Sequence, residues 1–160
     1  MASTVIFATI LLVVAVNCDV CYRGWEYNEG SCYGFSDTQV SWAEAARVCQ
    51  IFNGNLAEID SEEENDFVKE FLQSRGGPEK VWIGATDIFN EGTFEWLSNG
   101  GRPLNFTDWQ RGQPTDGGSH GQDCLDLIEK NNYTWADDSC TSQYNFICEI
   151  PPIEEESFVF

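Results

Sequence analysis

The sequence predicts an α+β domain held by disulfides, and three observations predict it. Two helix-length stretches open on the same signal, a serine followed three residues later by a glutamate (Ser41 with Glu44, Ser61 with Glu64). Beyond Pro78 the chain turns to short apolar or alternating runs, separated by loops rich in Gly, Asn and Asp. The chain carries 7 cysteines and begins on an apolar leader, the pattern of a protein that matures in an oxidising compartment.

The leader, "MASTVIFATILLVVAVNC", carries no acid, lysine or arginine. Its apolar run from Val5 to Val16 suits the hydrophobic region of a signal peptide and is too short to cross a bilayer. A signal peptide is expected over residues 1–18, one domain over 19–150, and a flexible, acidic tail, "PPIEEESFVF", over 151–160. No later stretch is long and apolar enough to span a membrane, so the expected location is extracellular. Losing Cys18 with the signal leaves an even set: Cys21, Cys32, Cys49, Cys124, Cys140 and Cys148. A cut before Cys18 would leave a thiol able to link two chains. Six cysteines admit fifteen connectivities, and without a Cys-x-x-Cys pair they do not suggest zinc.

The mature chain opens with "DVCYRGWEYNEGSCYGFS", aromatics alternating with polar and turn residues, which predicts a short hairpin. "SWAEAARVCQIFNG" predicts the first helix, capped by Ser41 and Glu44 and stopped at Gly54. Its spacing turns Trp42, Ala45, Ala46, Cys49 and Phe52 to the core. "DSEEENDFVKEFLQSRGG" predicts the second helix, with a repeated capping box at Ser61 and Glu64 and a stop at Gly76. Acids fill its first turn and Lys69 and Arg75 come late, an order that suits the helix dipole. Phe67, Val68, Phe71 and Leu72 form its apolar face. "VWIGA", "FEWL", "CLDLI", "YTW" and "YNFICEI" then predict strands. Among their loops lies "GQPTDGGSHGQDC", residues 112–124, whose Gly and Pro exclude both helix and interior strand.

Net charge is −19, a surface that repels nucleic acid and anionic membranes and attracts calcium, basic proteins or the calcium face of a mineral. There is no Gly-x-Ser-x-Gly, no metalloprotease helix motif and 1 histidine, so an enzyme is not expected. That histidine, His120, reads as a loop residue, and Trp109 and Trp135 read as core or strand residues.

Four pieces, in this order and spacing, resemble the C-type lectin domain: Trp82-Ile83-Gly84, Gln113-Pro114-Thr115, Trp135-Ala136-Asp137 and Phe146-Ile147-Cys148-Glu149. The resemblance covers residues 21–149 and is nearest to secreted invertebrate members, the perlucin-like ones of mollusc shells included. It implies a double-loop fold whose first and last strands meet. It also implies the long-form disulfides Cys21–Cys32, Cys49–Cys148 and Cys124–Cys140, and a cis peptide before Pro114.

The resemblance further implies calcium in the long loop. A sugar-reading site would use Gln113, Thr115, Gln122 and Asp137, with Gln113 in the version that goes with galactose-type ligands. Here Thr115 stands for Asn or Asp, Gln122 for Glu, and Ala136 for Asn. One carboxylate is left, so calcium and sugar are expected to bind weakly there. Asp138 is not expected to swing in and compensate. A second, structural calcium site would use Asp87, Glu91, Asp116 and Asp123, next to Gln122. Calcium is the expected cofactor. The expected partners are glycans, such as those of microbial surfaces, or, if sugar chemistry is lost, a mineral or protein surface. Asn105-Phe106-Thr107 and Asn132-Tyr133-Thr134 are sequons that predict glycosylation at Asn105 and Asn132, the second close to the binding strand.

Overall fold

The computed structural model describes residues 21–115 and 121–153. The predicted signal, Asp116, His120 and most of the predicted tail lie outside the described residues. Among the described residues nine strands join one sheet with two helices.

The expected hairpin pairs β1 (Glu26–Asn28) with β2 (Ser31–Val40). Its two-residue turn, Glu29-Gly30, has φ 45° and 98°, the positive pair that suits the twist of a tight hairpin. Helix α1 (Trp42–Ile51) starts at Ser41, whose backbone N–H and hydroxyl both donate to Glu44 Oε2, at 3.1 and 2.7 Å. Its stop differs from expectation. Asn53 takes the left-handed turn at φ 60°, and Gly54 follows with its N–H on Cys49 O. Phe52 departs too: 36% exposed, it packs outside the core on Tyr22 and Trp25.

Helix α2 (Glu62–Ser74) has its Ser61 oxygen on Glu64 N–H at 3.1 Å. The return half of the second capping box does not form. Glu64 instead accepts from the Asp60 N–H at 2.8 Å and from the Tyr33 hydroxyl at 2.5 Å, because β2 passes close enough to compete. The helix ends before Gly76, at φ 93°. Lys69 pairs with Asp108 and Arg75 with Glu26, so both late cations also fasten neighbouring segments.

β4 (Lys80–Thr86) lies at the centre, parallel to β9 (Tyr144–Ile150) and antiparallel to β7 (Cys124–Ile128). Both of its faces are covered, which explains an apolar run without alternation. Val81, Ile83 and Ala85 face a core with Val68, Phe71 and Leu72 of α2, while Trp82 faces Trp42, Ala45 and Cys49 of α1. Fully burying one such side chain contributes about 1.5–3 kcal/mol. The Trp42 indole N–H bonds Ile83 O at 2.8 Å, tying α1 to this strand. A Cβ on Gly84 would lie 2.8 Å from Leu56 O, so glycine lets β3 (Asn55–Leu56) pass close by. β5 (Glu95–Trp96) pairs with β4, and β6 (Arg102–Pro103) with β5.

The opening hairpin and the last strand do meet: β2 pairs antiparallel with β9 from Cys32↔Ile150 to Val40↔Tyr144. The three disulfides are Cys21–Cys32, Cys49–Cys148 and Cys124–Cys140. The Cys49–Cys148 link spans 99 residues of sequence, a closure worth about 4–5 kcal/mol in the chain-entropy model. Trp135 is fully buried with its indole N–H on Asn65 Oδ1 at 3.1 Å, and Trp109 packs against the same core. Among the described residues no helix is long and apolar enough to cross a membrane.

Candidate functional site

β4, β7 and β8 (Thr134–Asp138) carry the predicted site residues to one end of the sheet. Thr86 stands opposite Cys124, so Asp87 and Asp123, the next residue outward on each strand, become neighbours. Asp123 O accepts from the Thr86 hydroxyl at 2.5 Å and from Asp87 N–H at 3.2 Å. Asp87 is only 3% exposed. Its Oδ2 accepts from Gly92 N–H at 2.8 Å, while its buried Oδ1 has no partner among the described residues. Burial drives the Asp87 carboxyl above the ordinary range; the Gly92 bond opposes this, and the charges of Asp123 and Asp137 reinforce it. A Cβ on Gly121 would lie 2.6 Å from Asp123 Oδ2, so the loop needs glycine there for that carboxylate to fold back.

The second group lies where the long loop meets β8. The Gln113–Pro114 peptide is cis, as the resemblance implied. Thr115 N–H donates to both oxygens of Asp137, at 2.8 and 3.0 Å. Thr115 hydroxyl donates to Gln122 Oε1 at 2.9 Å, and the Gln122 amide donates to Asp137 O at 3.2 Å. Thr115, Gln122 and Asp137 are thus brought together and satisfy one another. Asp137 is 2% exposed, and burial raises its carboxyl while the Thr115 bonds restrain the rise. Gln113 Oε1 is buried and, among the described residues, unpartnered.

The structure does not gather every predicted residue. Among the described residues no three His, Cys, Asp or Glu side chains form a group that could hold a metal. Glu91 is exposed on the loop after β4 and does not close on Asp87 and Asp123, and Asp116 lies outside the described residues. Asp138 cannot compensate at Asp137, because consecutive strand residues face opposite ways. It points to the other face, where Lys80 and the Tyr144 hydroxyl bond its Oδ2 at 2.6 and 2.7 Å. Asn132 stands in the left-handed turn before β8, at the opposite end of that strand from Asp137. Asn105 and Asn132 are both exposed.

The sequence reading missed one functional-looking group. Asp126, in the middle of "CLDLI", is fully buried, with Lys80 Nζ 3.3 Å from its Oδ2 and no hydrogen bond to either oxygen. Burial pushes its carboxyl up to about 7, against the pull of Lys80. An acid inside an apolar run was the signal available.

The Asp87–Asp123 pair fits a hard cation. Among the described residues no cation pairs with these two adjacent carboxylates, one of them buried with an orphaned oxygen, and calcium takes oxygen ligands. The Asp137 group fits one less well, since its oxygens already accept hydrogen bonds.

The fold, its disulfides and the cis-proline loop on a Trp-x-Asp strand define a carbohydrate-recognition type of domain. The family profile described as the lectin C-type domain matches residues 38–150, and the chain belongs to the C-type lectin family. It is 38% identical to perlucin of Haliotis laevigata over 130 residues, 81% of this chain and 82% of that protein. It is 35% identical to C-type lectin domain family 10 member A of Homo sapiens over 133 residues, 81% of this chain but 40% of that longer protein. Among solved structures, the mouse scavenger receptor C-type lectin carbohydrate-recognition domain superposes with a TM-score of 0.76 at 33% identity, covering 83% of this chain and 99% of that one.

Proposed function

We propose that this chain is a secreted, calcium-dependent lectin that binds glycans of the galactose type, such as those on microbial surfaces. Asp87 and Asp123 hold the ion, and Glu91 and Asp116 close on it when it binds. With calcium bound, the ion neutralises these carboxylates and orders the loop that carries Gln113. Gln113, Thr115, Gln122 and Asp137 then meet sugar hydroxyls, and Asn105 and Asn132 carry N-glycans away from that surface. The observation that carries this reading is the buried Asp87 Oδ1 beside Asp123, unpartnered among the described residues.

Thermal melting against calcium concentration tests the ion. A ligand bound only by the folded state adds about 2.7 kcal/mol at a hundredfold excess over Kd, and Asp87→Asn should remove the rise. A melting midpoint indifferent to calcium refutes the ion site. A glycan array tests the sugar: retention competed by free galactose and abolished by EDTA is expected.

A second reading is a lectin-fold protein that meets mineral or protein surfaces and has lost sugar binding. Two observations favour it, the −19 charge and the mutual satisfaction of Thr115, Gln122 and Asp137. No retained glycan, together with adsorption to carbonate crystals, decides for this reading.

A further inference from the structure

We propose that the groove between the loop after β4 and the β5–β6 edge is a separate binding site for a quaternary ammonium group of the choline type. The groove encloses about 500 Å³ and is lined by Phe89, Glu95, Leu97, Gly100 and Gly101. That volume falls within the range of small-molecule sites. It contains none of the residues assigned to calcium or sugar, though Phe89 shares its loop with Asp87 and Glu91, so the titrations are run in EDTA.

Phe89 is 78% exposed and Leu97 37%, so two apolar walls face solvent. Glu95 lines the same groove, half-buried at the start of β5 and followed by the fully buried Trp96. Its Oε2 lies 3.0 Å from where a Cβ on Gly101 would be, so the glycine leaves the carboxylate room over bare backbone. Among the described residues no hydrogen-bond donor or cation pairs with that carboxylate. The nearest cation along the ladder, Arg102, is committed to Glu58 and Asp60 at 2.7 and 2.6 Å. An unpaired carboxylate lining the same groove as an exposed aromatic ring is charge complementarity without its cation.

The lining selects among cations. A divalent ion requires six or more oxygens, and the lining side chains supply one carboxylate. A primary ammonium is compact and strongly hydrated, and two apolar walls return little of that hydration. A sugar would need several directed polar groups. A trimethylammonium group spreads its charge over methyls, which pack on Leu97 and on the face of Phe89 while Glu95 balances the charge.

The test is calorimetric or ligand-observed NMR titration of the folded protein with choline, with its neutral isostere 3,3-dimethylbutan-1-ol, with ethanolamine and with galactose. Choline is expected to bind saturably, and the isostere and ethanolamine about tenfold more weakly. Glu95→Gln should weaken choline by about tenfold, and Phe89→Ala by about fivefold, with melting temperatures unchanged. Phe89 is exposed, so its variant remains informative if Glu95→Gln destabilises the fold. Equal binding of the isostere reduces the site to an apolar groove, and equal binding of ethanolamine reduces it to general charge attraction. Displacement by galactose makes it a sugar groove. Each of these outcomes overturns the proposal, as does absence of choline binding or indifference to both substitutions.

Discussion

Replacing Asp126 by asparagine should stabilise this protein at alkaline pH and leave it nearly unchanged in acid. Asp126 is fully buried, and burial lifts its carboxyl from 3.8 to about 7 despite Lys80 at 3.3 Å. The folded state therefore holds this proton more tightly than the unfolded chain does. Stability from this group is complete below the unfolded pKa and is lost as pH rises through about 7. A difference of about 3 units corresponds to roughly 4 kcal/mol. The asparagine keeps the shape and never ionises. Its stability minus that of the parent should grow from near zero at pH 4 to about 4 kcal/mol at pH 8. Urea unfolding of both proteins across that range measures the difference. Asp87, Glu64 and Glu149 are raised in the same direction but are shared by both proteins, so the subtraction removes them, while the response of Lys80, Asp138 and Asp137, which couple to Asp126, is part of the difference. A gap that stays constant with pH, or a variant weaker at pH 8, refutes the reasoning and makes the Lys80 pair a net stabiliser.

Three further substitutions probe the frame. Gly84→Ala drives a methyl to 2.8 Å from the Leu56 carbonyl, and chemical denaturation should show a loss of about 1–3 kcal/mol because backbone must move. Asn65→Ala strands the buried Trp135 indole N–H, for a loss of about 1–3 kcal/mol, visible also as a change in tryptophan fluorescence. Replacing Cys124 and Cys140 together by alanine opens a link spanning 16 residues, and should lower unfolding free energy by about 3 kcal/mol without changing the far-UV spectrum.

How much of this was legible in the sequence depends on how local each cause is. The helices were legible because Ser41, Ser61 and the apolar spacings act within a few residues. The stop at Asn53 and the rerouting of Glu64 to Tyr33 were not. Each is decided by what a short polar side chain or a passing strand does in three dimensions. β3 and β6, two residues each, carry no periodic pattern and exist because β9 and β5 offer them a backbone to pair with. The candidate site was legible as a set of positions through the family resemblance, and Thr115, Gln122 and Asp137 do come together. What those side chains do to one another was not legible. The fate of Asp138 could have been inferred from strand alternation alone.

The exchanges at Thr115 and Gln122 read in sequence as lost charge, but in the fold each supplies a donor that a carboxylate lacks. The Gln122 amide donates to Asp137 O and the Thr115 hydroxyl donates to Gln122, while the Thr115 backbone N–H covers Asp137. At about 0.5–1.5 kcal/mol each, two such bonds fasten the loop to β8 and the third braces the loop on itself, without any ion. The far end of the same site has no equivalent. Asp87 keeps a buried oxygen with no described partner, and its neighbour is another carboxylate. The demand for a cation is therefore concentrated between β4 and β7. On the proposed reading, calcium at Asp87 and Asp123 would change the protein's stability even where the Asp137 end keeps its shape unaided, so the melting shift reports the ion apart from the sugar contacts.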